Sequence, residues 1–197
     1  FLREAAIDPK VKSIKITIYR LSKLSDVASS LINAARNGKK VLVQIELQAR
    51  FDEQNNINFA GQLEAAGVKL IFGIPGLKVH SKICVIERVG QNKNLRFGFI
   101  STGNFNESTA KIYTDYTLFT ANQKILKEVN KVFNFLEVSY KLKKYKHLIV
   151  SPHYSANILS KLIDNEISNH KKGLPSGISL KINNITNYPL VNKLYEA

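Results

Sequence analysis

The chain has 197 residues, and its 29 lysines and arginines outnumber its 15 aspartates and glutamates, which gives a formal net charge of +14. With 44% hydrophobic and 22% charged residues it has a globular composition, which excludes a disordered tail and a collagen-like fibre. The single cysteine, Cys84, excludes a disulfide scaffold and predicts a reducing compartment. No apolar run is long enough to span a bilayer. The positive charge predicts an anionic partner.

The first part of the chain alternates strands with helices. A short helix ends at the Asp8-Pro9 turn signal, and the segments after it switch between β-branched alternation and helical spacing. The predicted elements are helices at 2–7, from 25 or 26 to 36, and at 52–66, with strands at 12–19, 40–47 and 68–72. This order predicts a parallel sheet with crossover helices.

The pattern then changes to strands that follow one another directly. Segments 79–87 and 95–101 are joined by a polar loop, which predicts a hairpin. A further strand is predicted at 113–120, and apolar residues at helical spacing predict a helix at 122–135. The predicted fold class is therefore α/β, a mixed sheet flanked by helices.

The last quarter of the chain begins with a basic, non-periodic stretch, KLKKYKH at 141–147, which predicts a linker. A strand at 148–152 and a helix at 156–170 are predicted to follow. Segment 177–182 can then be laid over segment 13–18, which favours an internal duplication whose second copy is truncated. Chance similarity between two amphipathic units is the competing interpretation.

Two neighbouring predicted strands carry the residues that could take part in a reaction. His80 and Lys82 lie two apart on a predicted strand, so both side chains are expected on one face of it. A tight turn at 73–76 precedes them, and the segment 101–106, with Asn104 as a phosphate-binding candidate, ends the next strand. An imidazole nucleophile, an ammonium group and amide donors form a coherent set for phosphoryl transfer. Each motif is weak alone, and their joint occurrence carries the hypothesis.

Two arginines end predicted parallel strands. Arg20 and Arg50 lie where ligands of open α/β sheets bind, outside the carboxyl ends of the strands. Their guanidinium groups offer paired donors to phosphate oxygens. For Arg50, an ion pair with Asp52 or Glu53 is the competing interpretation.

Several segments together resemble the polyphosphate kinase family. They are TIYR (17–20), ARFDE (49–53), FGIPGLKVHSK (72–82), STGNFNESTAKIYTDY (101–116), VFNFLE (132–137) and GLPSGISLKINN (173–184). The resemblance covers essentially the whole chain. It implies the first of two phospholipase-D-like C-terminal domains at 1–146, followed by the truncated beginning of the second at 147–197.

The resemblance implies a kinase that reversibly transfers the terminal phosphoryl group of ATP to inorganic polyphosphate through a phosphohistidine, with Mg²⁺ as cofactor. The phosphohistidine of the family matches His80, and Lys82 would act beside it. The arginines of the family's magnesium site match Arg20 and Arg50, and a nucleotide-contacting tyrosine matches Tyr113. Because Mg²⁺ prefers oxygen ligands, we expect the arginines to hold the phosphates or waters that the metal binds.

Other interpretations stay open at this point. A phospholipase-D-like phosphodiesterase or nuclease and a non-catalytic polyanion-binding module both fit the charge. In the phospholipase-D pattern an aspartate follows H-x-K, whereas 83–87 reads ICVIE, which is typical of the kinase branch. The usual nucleic-acid-binding motifs are missing, so no nucleic-acid partner is predicted. Tyr113 could equally be a core-facing strand residue.

Further expectations concern the protein as a whole. The lack of methionine and the start inside a helical pattern predict a fragment of a longer protein. That longer protein is expected to be cytoplasmic or membrane-peripheral and homo-oligomeric. The fragment is expected to be inactive or nearly so, because a second histidine and the rest of the nucleotide site lie outside it. His147, His153 and His170 are predicted to be exposed surface residues.

Overall fold

The structure is a computed structural model that describes residues 1–19, 21, 25–46, 53–91, 93–138 and 143–197. The chain separates into two compact units, residues 1–144 and 145–197. The elements of the first unit are α1 (Leu2–Ile7), β1 (Val11–Ile18), α2 (Asp26–Arg36), β2 (Lys40–Ile45), α3 (Glu53–Ala65), β3 (Lys69–Phe72), β4 (Lys82–Val89), β5 (Asn94–Ser101), α4 (Glu107–Ala110), β6 (Thr117–Thr120) and α5 (Gln123–Glu137). Those of the second are α6 (Ser155–Lys171) and α7 (Tyr188–Glu196).

The described strands of the first unit form one six-stranded mixed sheet in the order β3-β2-β1-β4-β5-β6. Strands β1, β2 and β3 are parallel, whereas β4, β5 and β6 pair in antiparallel fashion. The predicted mixed α/β class, the parallel β-α-β-α-β order and the hairpin are therefore confirmed. The parallel half is connected by α2 and α3, as a crossover connection requires.

Helices cover both faces of this sheet. On one face Ile14, Ile16 and Ile18 of β1 join the core formed with α1, α2 and α3. On the other face α5 packs over β4 and β5, burying Leu126 and Phe133. Each fully buried aliphatic or aromatic side chain contributes on the order of 2 kcal/mol. These two apolar layers therefore hold the strand ends at which the polar residues collect.

Strand β4 begins later than predicted. The prediction placed His80 on a strand from residue 79, but the ladder between β4 and β5 begins with Lys82 opposite Ser101. The ladder between β1 and β4 reaches only the pair Ile16 and Cys84. His80 therefore lies in irregular chain before the strand, because side chains rather than neighbouring strands take the backbone hydrogen bonds there.

The predicted strand at 113–120 is also wrong over its first half. Only residues 117–120 form β6, and α4 lies upstream with its amino end capped by Asn106, whose Oδ1 accepts hydrogen bonds from the Ser108 and Thr109 amides. A turn follows in which the Tyr113 amide donates to the Thr109 carbonyl. The Tyr113 side chain is 53% exposed, so a core-facing strand position is excluded.

The second unit consists of helices and irregular chain. Helix α6 confirms the predicted helix at 156–170, and α7 contacts α6, with an ion pair between Lys193 and Asp164. Ile163 of α6 and Leu190 of α7 are buried. The strands predicted at 148–152 and 177–182 are not formed among the described residues of this unit. A strand needs a neighbour for its backbone groups, and the described part of this unit offers none. The strand on which the duplication rested is therefore missing.

Among the described helices of both units, none combines the length and the apolar character needed to cross a membrane.

The contact between β4, β5 and α5 leads to a stability prediction. A Cβ atom at Gly98 would lie 2.0 Å from the Cys84 carbonyl oxygen and 3.2 Å from Cδ2 of Leu126. Gly98→Ala should therefore push the two strands apart and lower the free energy of unfolding by about 3 kcal/mol. The matched control is Gly61→Ala, at an exposed position of α3, where nothing lies within 4 Å of the new Cβ. Because alanine has a higher helix propensity than glycine, this change should raise the free energy of unfolding by about 1 kcal/mol.

Urea denaturation followed by far-UV circular dichroism measures both changes. If both alanine variants changed the free energy of unfolding equally, the close approach of Gly98 to the Cys84 carbonyl would be contradicted.

Candidate active site

All six described strands have an end at one edge of the sheet, where Thr117 at the amino end of β6 pairs with Ser101. The pairs Ile18–Ile45 and Ile45–Phe72 place the carboxyl ends of β1, β2 and β3 at the same level. Because β4 is antiparallel to β1, its amino end comes to this edge, and its pairing with β5 brings Ser101 there as well. The segments that follow β1 and β5 are joined by a bridge between Leu21 and Phe105. The topology thus brings the segments that carry His80, Lys82 and Asn104 to one edge of the sheet.

His80 is exposed at this edge, and its contacts include the side chains of Tyr19 and Lys82. Its ring makes an edge contact with Tyr19, with 4.6 Å between ring centroids. The Lys82 Nζ atom lies 3.1 Å from His80 Nδ1 and donates a hydrogen bond to the His80 carbonyl oxygen at 2.6 Å. Because an ammonium group has no acceptor, the contact with Nδ1 is a hydrogen bond only in the tautomer in which that nitrogen is unprotonated.

Positive charge collects around the aromatic ring of Tyr19. The Lys82 ammonium lies 5.0 Å from the ring centroid and the Lys78 ammonium lies 5.4 Å from it. Lys82 is only 2% exposed, although it is a lysine. Buried cations are kept in proteins by polar partners and by aromatic faces. The arrangement favours an anion at His80.

A second nucleophile lies close by along the chain but is inert. Cys84 on β4 is fully buried, and burial raises the pKa of its thiol far above the neutral range. The thiolate that would react is therefore not formed at neutral pH. Of these two side chains, only His80 is open to a substrate.

Two buried side chains bind the backbone on either side of His80. The Val79 amide donates to Glu46 Oε2 at 3.0 Å, and Glu46 is 4% exposed. The Thr17 hydroxyl donates to the Ser81 carbonyl at 2.6 Å and accepts from the Ile83 amide at 3.0 Å. Thr17 on β1 and Glu46, directly after β2, thus hold the segment through their side chains.

A third buried polar residue joins the ends of β1 and β2. Asn56 on α3 is 1% exposed, and its Nδ2 donates to the carbonyls of Tyr19 and Glu46 at 3.0 and 2.9 Å. One amide group therefore ties the residue that contacts the imidazole to the residue that holds the Val79 amide.

The turn before His80 borders a cavity. A cavity of about 530 Å³ is lined by Glu46 and the segment 72–78. Gly73 and Gly76 have φ angles of +59° and +74°, which are left-handed conformations that favour glycine. The turn keeps the cavity open beside the strand ends.

The segment after β5 is held by polar contacts of its own. The Gly103 amide donates to the Ser101 hydroxyl at 3.1 Å, and the Thr102 hydroxyl donates to Asp115 Oδ1 at 2.9 Å. Asn104 is half-buried, and its buried Oδ1 has no hydrogen-bond partner within the described structure. The oxygen of this side-chain amide therefore accepts no hydrogen bond within the described structure.

Comparisons with known proteins agree over both units. The family profile described as Polyphosphate kinase C-terminal domain 1 matches residues 1–142, and that described as Polyphosphate kinase C-terminal domain 2 matches residues 148–197. The chain belongs to the polyphosphate kinase family. The family resemblance drawn from the sequence motifs is confirmed.

Relatives within the polyphosphate kinase family match the whole chain. The protein named polyphosphate kinase from Escherichia coli strain K12 is 51% identical over 196 residues, and that from Vibrio cholerae serotype O1 is 49% identical. Both matches cover 100% of this chain and 28% of the relative, so the chain spans about a quarter of their length. The crystal structure of polyphosphate kinase from Porphyromonas gingivalis matches with a TM-score of 0.85 at 38% identity, covering 99% of this chain and 33% of that one.

The structure brings some of the predicted site residues together. His80 and Lys82 are in contact, and Asn104 lies on the segment that reaches the same edge. Arg20 and Arg50 lie outside the described residues. The backbone of Tyr113 contacts Thr109 rather than the His80 segment.

The three other histidines are exposed, as predicted. His147, His153 and His170 all lie in the part of the chain from residue 145 onward.

A protein-only metal cage is not formed by the described residues. Within residues 1–19, 21, 25–46, 53–91, 93–138 and 143–197 no three His, Cys, Asp or Glu side chains are grouped so as to hold a metal ion. The ammonium group of Lys82 and the ring of Tyr19, which contact His80, do not suit Mg²⁺.

Sequence reasoning missed the residues that position the histidine: Thr17, Tyr19, Glu46 and Asn56. A signal for two of them was present, since Thr17 and Glu46 are polar residues that lie between two apolar neighbours at or just after the end of a strand. A polar side chain in such a place is buried only if it has partners. Asn56, on a polar helix, offered no comparable signal.

The two contacts of Asn56 can be tested through stability. Asn56→Ala removes the donor shared by two buried carbonyls, which should lower the free energy of unfolding by about 1–3 kcal/mol. Asn58→Ala on the exposed side of α3 is the matched control and should stay within about 0.5 kcal/mol of the parent chain. Urea denaturation compares them, and similar values for both variants would contradict the bridging role.

Proposed function

We propose that the chain forms part of an ATP:polyphosphate phosphotransferase in which His80 carries the transferred phosphoryl group. The observation that carries the proposal is an exposed imidazole whose Nδ1 lies 3.1 Å from the buried ammonium of Lys82, at the edge where the six described strand ends meet. Membership of the polyphosphate kinase family supports the reaction, since the matched relatives are named for it.

The proposed chemistry has two half-reactions. The lone pair of an unprotonated His80 nitrogen attacks the γ-phosphorus of ATP in line. A P–N bond forms while the bond to the β,γ-bridging oxygen breaks, and ADP leaves with the electron pair. A terminal oxygen of polyphosphate then attacks the same phosphorus. The P–N electron pair returns to the imidazole, and the chain is one phosphate longer. Both steps run in reverse to form ATP.

Lys82 is proposed to act on the charge that develops during transfer. Its ammonium is held by the His80 carbonyl and by the Tyr19 ring, so it needs little rearrangement when the phosphoryl oxygens become more negative. Such fixed charge in a water-poor place is the main source of stabilisation in phosphoryl transfer. Arg20 and Arg50, proposed from the family motif, would add guanidinium contacts to the phosphates.

Two further roles come from the motif alone. Asn104 is proposed to bind phosphate oxygens through its amide, and Tyr113 to contact the nucleotide. The exposure of the Tyr113 ring agrees with a role in binding, because a buried ring would be closed to ATP. The proposed substrates are ATP or ADP and inorganic polyphosphate, in a cytoplasmic or membrane-peripheral protein that is homo-oligomeric at full length.

Mg²⁺ remains part of the proposal only as a companion of the nucleotide. The described side chains do not fit a metal cage, and no step is assigned to the ion. Bound to the phosphates, it would offset their charge. Arg20 and Arg50 would then hold the phosphates or waters around it.

The nucleophile can be tested with γ-labelled ATP in the intact protein that carries this chain. The label should be acid-labile and base-stable, because a P–N bond hydrolyses once its nitrogen is protonated. It should be lost in His80→Gln and retained in His170→Gln, where the exposed histidine in the last turn of α6 is replaced. Mapping by mass spectrometry checks the site. An acid-stable label, or one that persists in His80→Gln, would redirect the search to another residue.

The isolated chain should have little or no kinase activity. It lacks the second histidine and the remaining nucleotide contacts that the family resemblance implies, so polyphosphate synthesis should be at least about 100-fold slower than in the intact protein. Incorporation of label from ATP into polyphosphate measures both rates side by side. Comparable synthesis by the 197 residues alone would show that one unit supplies a complete site.

A further inference from the structure

The segment with His80 lies just beyond the last backbone pair between β1 and β4. That pair is Ile16 with Cys84, and the next residue of β1 is Thr17. Thr17 is 0% exposed, in a strand whose other buried positions on this stretch are isoleucines. A buried hydroxyl in such a strand requires hydrogen-bond partners.

Thr17 makes two hydrogen bonds that bracket Lys82. Its hydroxyl donates to the carbonyl of Ser81 and accepts from the amide of Ile83. One side chain therefore uses both its donor and its acceptor on the backbone immediately before and immediately after a single residue. A valine of nearly the same shape would keep the packing and lose both bonds.

The backbone held in this way carries the contact at the nucleophile. Lys82 donates to the His80 carbonyl and reaches His80 Nδ1 at 3.1 Å. Turning the peptide between Ser81 and Lys82 would move the lysine stem and its ammonium relative to the imidazole. The Glu46 carboxylate holds the Val79 amide on the other side, so a shift would be concentrated between residues 80 and 82.

We infer that Thr17 is a positioning residue for phosphoryl transfer, whose hydroxyl sets the orientation of Lys82 toward His80. The inference rests on the proposed function for its kinetic consequence, while its structural part stands on the contacts of Thr17 alone. The hydrogen bonds of Thr17 go to the backbone of residues 81 and 83, so it acts on the lysine through that backbone.

The test compares Thr17→Val with Thr17→Ser in the intact protein that carries this chain. With γ-labelled ATP, Thr17→Val should slow labelling of His80 at saturating ATP by about 100-fold, the effect of a displacement near 1 Å. The half-saturating ATP concentration should change by less than about threefold, because ground-state binding does not require the aligned ammonium. Thr17→Ser restores the hydroxyl and should return the rate to within about threefold of the parent.

Labelling of Thr17→Val at the parent rate would overturn the inference. So would a Thr17→Ser protein that is folded and as slow as Thr17→Val, since its hydroxyl is restored. If Thr17→Val does not fold, Thr17→Ala is used instead, because it removes the hydroxyl without introducing a larger side chain. The same rates are then expected for Thr17→Ala as for Thr17→Val.

Amide hydrogen exchange on the 197-residue chain separates this inference from the proposed function. The Ile83 amide should exchange at least about tenfold faster in Thr17→Val than in the parent or in Thr17→Ser. The amides of Val85 and Ile86 should keep their protection, which shows that β4 remains paired. If the parent protein is not labelled by ATP, the proposed function fails, and unchanged exchange at Ile83 would then be the result that overturns the positioning role.

Discussion

The antiparallel pairing of β4 with β1 is the constraint on which the candidate site depends. If β4 ran parallel to β1, its amino end and His80 would lie at the opposite edge of the sheet, far from the carboxyl ends of β1, β2 and β3. The pairing is held by the buried positions Ile14, Ile16, Cys84 and Ile86, all of which belong to one apolar core. The chemistry of the edge therefore depends on packing that contains no reactive group.

In this domain the residues that contribute most to stability differ from those that position His80. Each buried isoleucine contributes on the order of 2 kcal/mol, whereas a buried hydrogen bond contributes about 1 kcal/mol net. Thr17, Glu46 and Asn56 thus add little to the total compared with the layers around them. What they provide is direction, because a hydrogen bond fixes an angle as well as a distance. A rigid apolar sheet with a few polar contacts at its edge can hold an imidazole exposed and still oriented.

Local patterns predicted much of this fold. β-Branched alternation located β1 and β2, helical spacing located α2, α3 and α5, and the order of elements predicted the parallel half of the sheet. His80 and Lys82 were found as a motif, but not their irregular backbone. The Val79 amide donates to Glu46, 33 residues away in the sequence. Such a distant side-chain contact cannot be predicted from the spacing of polar and apolar residues.

The missing strands have a related cause. Segment 177–182 alternates as well as segment 13–18 does, yet only the latter has neighbours, β2 and β4, to receive its backbone hydrogen bonds. In the described part of the second unit, Ile178, Leu180 and Ile182 are exposed instead. Alternation of polar and apolar residues therefore favours extended chain, but a strand forms only where a neighbouring strand can pair with its backbone.

The most direct measurement of this arrangement is the nuclear Overhauser effect between the rings of His80 and Tyr19 in the 197-residue chain. With 4.6 Å between the ring centroids, cross-peaks between the imidazole protons and the tyrosine ring protons are expected. Cross-strand effects between Ile16 and Cys84 report at the same time that β1 and β4 are paired. Intact cross-strand effects without any between the two rings would contradict a histidine held at this edge.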